Sequence, residues 1–325
     1  MSGPDQPGAP TGDLPESDAP TGLTRVDPRH DLRHRPAPGG RMRDSLFWQT
    51  VLPDAGLALQ VYLFVTGTGA AGYNIAVWGR DGVVALERDG GRVPEAMDFD
   101  DFEVSALRIR NDGALRTSTV TVRGSSLSLD LSFEALHDAF TFRDNPDGLP
   151  AWFADDRIEQ TGRVTGTLTV GDRAQELGPL GHRDHSWGLR DWRAPQHWKW
   201  FVAYTADGAR AVNGWIWQAR GEWGFAGYVF RDGALVPVAR IEQRTTYTDA
   251  MEQQRLVATL HDVVGGRTAL ELDAFGILPL PDERSGTMIL EGAATGTIDG
   301  VAAVGQFETE WPADYFAHLA AGAAS

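Results

Sequence analysis

The chain has 325 residues, 42% of them hydrophobic and 10% aromatic, enough for a sizeable core and about two domains of ordinary size. Its 29 Lys and Arg against 45 Asp and Glu give a formal net charge of -16, which argues against nonspecific binding to nucleic acid or to acidic membranes. The absence of Cys excludes disulfides, thiolate catalysis and Cys-rich zinc or iron–sulfur sites.

From Met1 to Pro38 the chain repeats Pro, Gly, Asp and Ser without an uninterrupted apolar run. This composition predicts a disordered cytoplasmic tail over residues 1–40 rather than a signal sequence. No later segment reaches the roughly twenty apolar residues that a spanning helix requires, so no integral membrane segment is predicted.

Beyond the tail a period of two dominates. Leu57, Leu59, Val61, Leu63 and Val65 alternate with Ala58, Gln60, Tyr62 and Phe64, which places the two sets on opposite faces of a strand. Tyr73, Ile75 and Val77 repeat the pattern, and so do Leu127, Leu129, Leu131 and Phe133. Both faces carry apolar groups, as in a barrel or a packed sandwich. Asp81-Gly82, Asp112-Gly113, Asp207-Gly208, Asp232-Gly233 and Asp299-Gly300 supply tight turns. The reading is all-β, with a first unit over residues 41–172 and a second over 173–325, closed by a short Ala-rich helix from Ala313 to Ala323. The glycines lack the strand-to-helix context of a dinucleotide or phosphate loop.

Early in the second unit, where the first gives way to it, lies Gly181-His182-Arg183-Asp184-His185-Ser186-Trp187-Gly188-Leu189-Arg190-Asp191-Trp192. A turn needs only Gly, Asn, Asp or Pro, so this density of imidazole, guanidinium, carboxyl and indole points to a pocket at a domain junction. Asp184 is the leading candidate acid, because a carboxyl among apolar rings acquires a raised pKa, although nearby Arg groups oppose the shift. His182 or His185 is the alternative proton carrier, and Glu159, from another β segment, is a further candidate. The competing reading is structural, with Asp184 tying Arg183, Arg190 or backbone donors into an ion and hydrogen-bond knot. His182, Asp184 and His185 are metal-ligating types, but adjacent positions do not ensure converging ligand atoms, and no metal is predicted. Ser186 lacks the strand-to-helix elbow of a serine hydrolase. Further on, Trp198, Trp200, Val202 and Tyr204 share one strand face, and Asn213, Trp215 and Trp217 form a second row. These aromatics either line an apolar pocket or fill a two-layer core.

The central dodecapeptide resembles the central motif of the lipocalin-like two-domain family that includes carotenoid 1,2-hydratases of the hydroxyneurosporene-synthase type and AttH-like proteins. Glu159-Gln160-Thr161-Gly162 followed by Arg163-Val164-Thr165-Gly166 is similar to the strand before that motif, Gly305-Gln306-Phe307-Glu308 to the closing strand, and Asp44-Ser45-Leu46-Phe47-Trp48 to the opening segment. The resemblance implies two tandem lipocalin-like antiparallel β barrels. It also implies cofactor-independent hydration, dehydration or cyclisation of a hydrophobic isoprenoid-like molecule. Asp184, assisted by His182 or His185, would protonate an alkene or hydroxyl. Trp187, Trp200 and Trp215 would then surround developing positive charge. From the motif's own charges, Arg190 is expected to fix an anionic partner and to belong to the substrate-binding set. The alternative is a noncatalytic carrier of a small hydrophobic ligand. The sequence carries no signal for an oligomeric state.

Overall fold

A computed structural model describes residues 22–37 and 40–323. Twelve strands make the first sheet. In chain order they are β1 (Arg43–Leu52), β2 (Leu57–Thr66), β3 (Ala70–Gly79), β4 (Gly82–Arg92), β5 (Phe102–Val104) and β6 (Leu107–Asn111). There follow β7 (Thr117–Arg123), β8 (Ser128–Ala135), β9 (Phe140–Thr141), β10 (Asp156–Val170), β11 (Arg173–Glu176) and β12 (Leu180–Gly188). The spatial order is β4-β3-β2-β1-β12-β10-β8-β7-β6-β5, with β9 and β11 paired to β10 off this path.

The second sheet comprises β13 (Pro195–Thr205), β14 (Arg210–Ala219), β15 (Glu222–Arg231), β16 (Ala234–Tyr247), β17 (Gln253–Asp262), β18 (Arg267–Asp282), β19 (Thr287–Ile298) and β20 (Val301–Pro312). These eight strands close into an antiparallel barrel, and helix α1 (Ala313–Ala323) follows the last of them. No described helix is long and apolar enough to cross a membrane.

The expectation of two closed barrels is therefore corrected. The first sheet curls until Leu63 and Ile75 from one half share a core with Val120 and Phe102 from the other, yet its edges β4 and β5 do not pair with each other. Period-two alternation marks which face is buried but carries no information on whether two distant edges meet, so closure was not readable from it. The division between the units also moves. Because β11 and β12 pair with β10, the first sheet continues to Gly188 and the second begins at Pro195, instead of changing between residues 172 and 173.

The predicted disordered tail is likewise too long. Residues 1–21 and 38–39 lie outside the described part of the chain, but Pro28–Asp31 forms a 3-10 turn and the segment around it is fastened to the first sheet. Arg33 donates to the Pro94 and Met97 carbonyls at 3.2 Å each, in the connection between β4 and β5. Asp31, 2% exposed, accepts from Arg183 at 3.2 Å and from the backbone N–H groups of Gly113 and Leu115 at 3.0 and 3.1 Å. Composition favoured disorder, but a few buried charged and backbone hydrogen bonds outweigh it locally.

The two sheets pack face to face. Inside the barrel Phe201, Leu256, Leu270 and Phe307 form a filled core. Alternate residues on its outer wall, including Trp198, Trp200, Tyr204 and Trp215, join Phe47, Phe142 and Leu180 from the first unit in a second core. Fully burying side chains of this size contributes roughly 1.5–3 kcal/mol each. At another point of approach Gly276 of β18 meets Gly79 of β3, where an added Cβ would stand 2.4 Å from the Gly79 carbonyl oxygen.

Replacing Asp31 by Ala leaves the Arg183 guanidinium without its carboxylate and two backbone donors without an acceptor. The expected cost is about 3 kcal/mol, read as a thermal midpoint lowered by several degrees. Asp27→Ala, at an exposed cap, is the control; a midpoint for Asp31→Ala equal to that control would contradict the anchoring role.

Candidate functional site

The central motif is mostly a strand, not a loop. β12 lies between β1 and β10, and its alternation divides the motif between two environments. His182, Asp184 and Ser186 face the barrel, in register with Gln49, Phe47 and Ser45 of β1 and with Thr161, Glu159 and Arg157 of β10. Arg183, His185 and Trp187 face the other way, toward the first sheet's core and the Pro28–Arg35 segment. His185 and Trp187, expected beside Asp184, are thus separated from it by the sheet itself.

A cavity of about 270 Å³ opens between the first sheet and the barrel's outer wall. Asp184, Trp200, Trp215 and Arg190 line it, together with Arg157, Trp198, Phe153, Glu291 and Glu308. His182 and Glu159 stand one layer behind the lining.

Asp184 and Glu159 are directly opposed across β12 and β10, an arrangement that repulsion would penalise without a cation between them. Arg157 supplies it, donating from Nε to Glu159 at 2.5 Å and from a terminal nitrogen to Asp184 at 2.8 Å. Burial opposes the Arg157 charge, but the two carboxyls overcome it and raise its pKa. Glu159 is held below the usual carboxylate range because Arg157 and His182 outweigh its burial. For Asp184 burial wins over Arg157, and with the repulsion of Glu159 it is pushed up to about 6. The environment therefore separates an ionised carboxylate from one that exchanges its proton near neutrality.

Behind Glu159 the polar groups continue. His182 bonds Glu159 through Nε2, Trp200 donates its indole N–H to Glu159 at 3.2 Å, and Thr161 stands 3.4 Å from His182 Nδ1. Thr161 also meets the Tyr228 hydroxyl at 2.7 Å, which lies 3.2 Å from His137. Each member has a partner, so this buried chain holds Glu159 and Arg157 in one geometry.

On the barrel wall Glu291 and Glu308 oppose each other on β19 and β20. Burial raises the pKa of both, and their proximity lifts Glu291 well above the usual range. Gln306 donates to Glu291 at 2.6 Å and the Trp198 indole N–H to Glu308. Two carboxyls so placed cannot both ionise readily. Neither they nor Arg157 were singled out from sequence as site residues. The available signal was alternation: Arg157 and Glu159, like Glu308 and Glu310, place charge at every second position of strands that are otherwise buried.

On the far side of β12, His34, Asp44 and His185 bring metal-ligating atoms within 4.8 Å of one another. Asp44 accepts from His34 Nδ1 at 2.8 Å, from His185 Nε2 at 3.0 Å and from the His34 backbone N–H at 3.0 Å. These bonds outweigh burial and lower the Asp44 pKa. Trp187 stacks on His34 with ring centroids 3.9 Å apart. This donor set could take a divalent ion, but as it stands it fastens the Pro28–Arg35 segment. The trio weighed from sequence, His182, Asp184 and His185, cannot share one ion, because His185 lies on the opposite face.

Residues 27–313 match the family described as a domain of unknown function, DUF7064. No curated protein matches the chain in sequence. Among solved structures, an AttH-like protein from Nitrosomonas europaea is similar with a TM-score of 0.63 at 14% identity, over 91% of this chain and 99% of that one. Kievitone hydratase from Nectria haematococca is similar with a TM-score of 0.51 at 11% identity, over 83% of this chain and 87% of that one. At such identities the likeness establishes a shared fold.

Glu310, beyond Glu308 on the same strand face, is fully buried with both carboxyl oxygens unpartnered. Burial and Glu308 push it up to about 8 from an ordinary 4.5. The folded chain thus binds more protons than the unfolded chain between those values, so stability is lost as pH rises through that window. Glu310→Gln is expected to flatten the fall in thermal midpoint between pH 5 and pH 8 relative to the parent. Parallel curves would contradict the assignment.

Proposed function

The chain is a member of the DUF7064 family, and from its cavity we propose that it is an acid–base catalyst, a hydratase, dehydratase or cyclase, acting on a compact hydrophobic molecule of isoprenoid type. One observation carries this reading: the Asp184 carboxyl faces an aromatic-lined cavity while burial pushes it up to about 6. The fold shared with a kievitone hydratase supports the same class of chemistry. A cavity of about 270 Å³ sits at the small end of ligand pockets, which favours a short substrate over a long polyene.

In the hydration direction protonated Asp184 delivers its proton to one carbon of an alkene. The adjacent carbon becomes cationic, and the faces of Trp198, Trp200 and Trp215 stabilise it. Water adds its oxygen to that carbon and gives up a proton to the Asp184 carboxylate, so the acid is regenerated and the net change is addition of water. Dehydration is the reverse, and capture of the cation by a second alkene, with return of a proton, gives cyclisation. Glu159, His182 and Arg157 act through Asp184 as positioning residues.

Asp184→Asn is expected to lower kcat by about 10²–10⁴-fold while ligand binding and the fold persist. In the parent the acid must be protonated, so turnover holds below about pH 6 and falls above it. Glu159→Gln removes the charge that raises Asp184 and frees Arg157 to lower it, so this limb moves to lower pH. Product formation from a panel of short terpenoids, followed by chromatography across pH, reads all three effects. Undiminished turnover in Asp184→Asn would overturn the reading, and stoichiometric binding without consumption of any ligand would replace it by a carrier.

A further inference from the structure

The charges around the cavity do not cancel pair by pair. Arg157 is committed to Glu159 and Asp184, but three other guanidiniums lining the cavity, Arg43, Arg88 and Arg190, make no salt bridge among the described residues; Arg88 is exposed to solvent, whereas Arg43 and Arg190 are partly buried. Arg43 donates to the Tyr62 hydroxyl at 2.7 Å and lies over the Phe64 ring at 4.3 Å, with its Nε buried and unpartnered. Arg190 donates to Ser186 Oγ at 3.1 Å and to the Phe153 carbonyl at 3.2 Å, and lies over the Phe153 ring at 4.0 Å. Burial pulls Arg190 down to about 10, and Arg43 adds to that effect, which still leaves the group charged at neutral pH.

The two guanidiniums belong to one polar strip. Ser45 and Ser186 are cross-strand partners, and side chains so paired have Cβ atoms about 4.5–5.5 Å apart. Ser45 meets the Tyr62 hydroxyl at 3.0 Å, so Arg43, Tyr62, Ser45, Ser186 and Arg190 form a continuous row of donors at one end of the cavity. Desolvating two like charges side by side is unfavourable, and an oxyanion between them converts that cost into charge-assisted hydrogen bonds. Asp184 lies two residues from Ser186 on the same strand face, roughly 7 Å along the strand. The aromatic wall of Trp198, Trp200 and Trp215 completes the cavity.

We propose that Arg43 and Arg190 form a subsite for a carboxylate on the substrate, so that the molecule processed is a compact isoprenoid-type acid whose apolar body rests on the tryptophans. This rests on the reading of the cavity as the substrate site, but it does not require turnover. The planar fork of each guanidinium suits a carboxylate, and its fixed position places a double bond a few carbons away within reach of Asp184.

The test is equilibrium binding, by calorimetry on the full chain, of three probes that share one ten-carbon skeleton: geranic acid, geraniol and methyl geranate. Geranic acid is expected to bind at least tenfold more tightly than the other two. Arg190→Gln and Arg43→Gln should each reduce that preference, and the double variant should bring it close to one, while Asp184→Asn keeps it. Circular dichroism and thermal midpoints identify a variant that has not folded, in which case the remaining single variant decides. Equal affinity for acid and alcohol in the parent, binding of none of the three probes, or a preference that survives in the folded double variant would overturn the subsite. Preferred binding of the acid without its consumption would instead retain the subsite and remove the catalytic reading.

Discussion

The structure depends on the pleat of a single central strand. β12 is hydrogen-bonded on both sides, to β1 and to β10, so its register is set twice and cannot slip by one residue without exchanging every side chain between faces. One face carries the row Phe47, Asp184, Glu159 and the row Ser45, Ser186, Arg157 toward the cavity. The other carries Arg183, His185 and Trp187 toward the segment containing Asp31 and His34, where they act as anchors. A sequence run that looks like one crowded site is thus two structures back to back, one with room for a ligand and one already satisfied by the chain itself.

Electrostatic asymmetry follows from the same geometry. The pleat sets two carboxyls opposite each other and only one cation, Arg157, bridges them. Glu159 has His182 and Trp200 as additional donors and stays ionised; Asp184 has the cavity beside it and does not gain the same support. Glu291 and Glu308 on the facing wall are likewise shifted toward the protonated form. A cavity with acids shifted toward the protonated form, aromatic faces and two partly buried guanidiniums without a carboxylate partner is costly to assemble, and its cost is offset by the dense aromatic packing around it rather than by internal pairing.

Much of this is legible in the amino-acid sequence. Alternation along Leu57–Val65 and Leu127–Phe133 marks strands, and the composition of residues 181–192 marks the place where the units meet. The limits are physical. Alternation reports burial, and β1, β12 and β13 are buried on both faces, so it could not say which of His182, Asp184 and His185 shares a face with the cavity until the motif was known to be extended. Arg157 is separated from Asp184 by 27 positions and meets it only through the pairing of β10 with β12. The barrel's closure and the openness of the first sheet are properties of distant edges. Trp200 and Trp215 face outward from the barrel, so the cavity lies against its wall and not within it.

The central claim is that Asp184, unlike Glu159 directly opposite it, exchanges its proton near neutrality because of where β12 places it. The most direct measurement is a titration of the protein with ¹³C at the aspartate carboxyl carbon, compared with Asp184→Asn. The account predicts one resonance that is absent from the variant and titrates near pH 6, well above the ordinary Asp value of 3.8. A missing resonance that titrates at or below that ordinary value would show Asp184 to be a permanently ionised partner of Arg157, and would contradict the account.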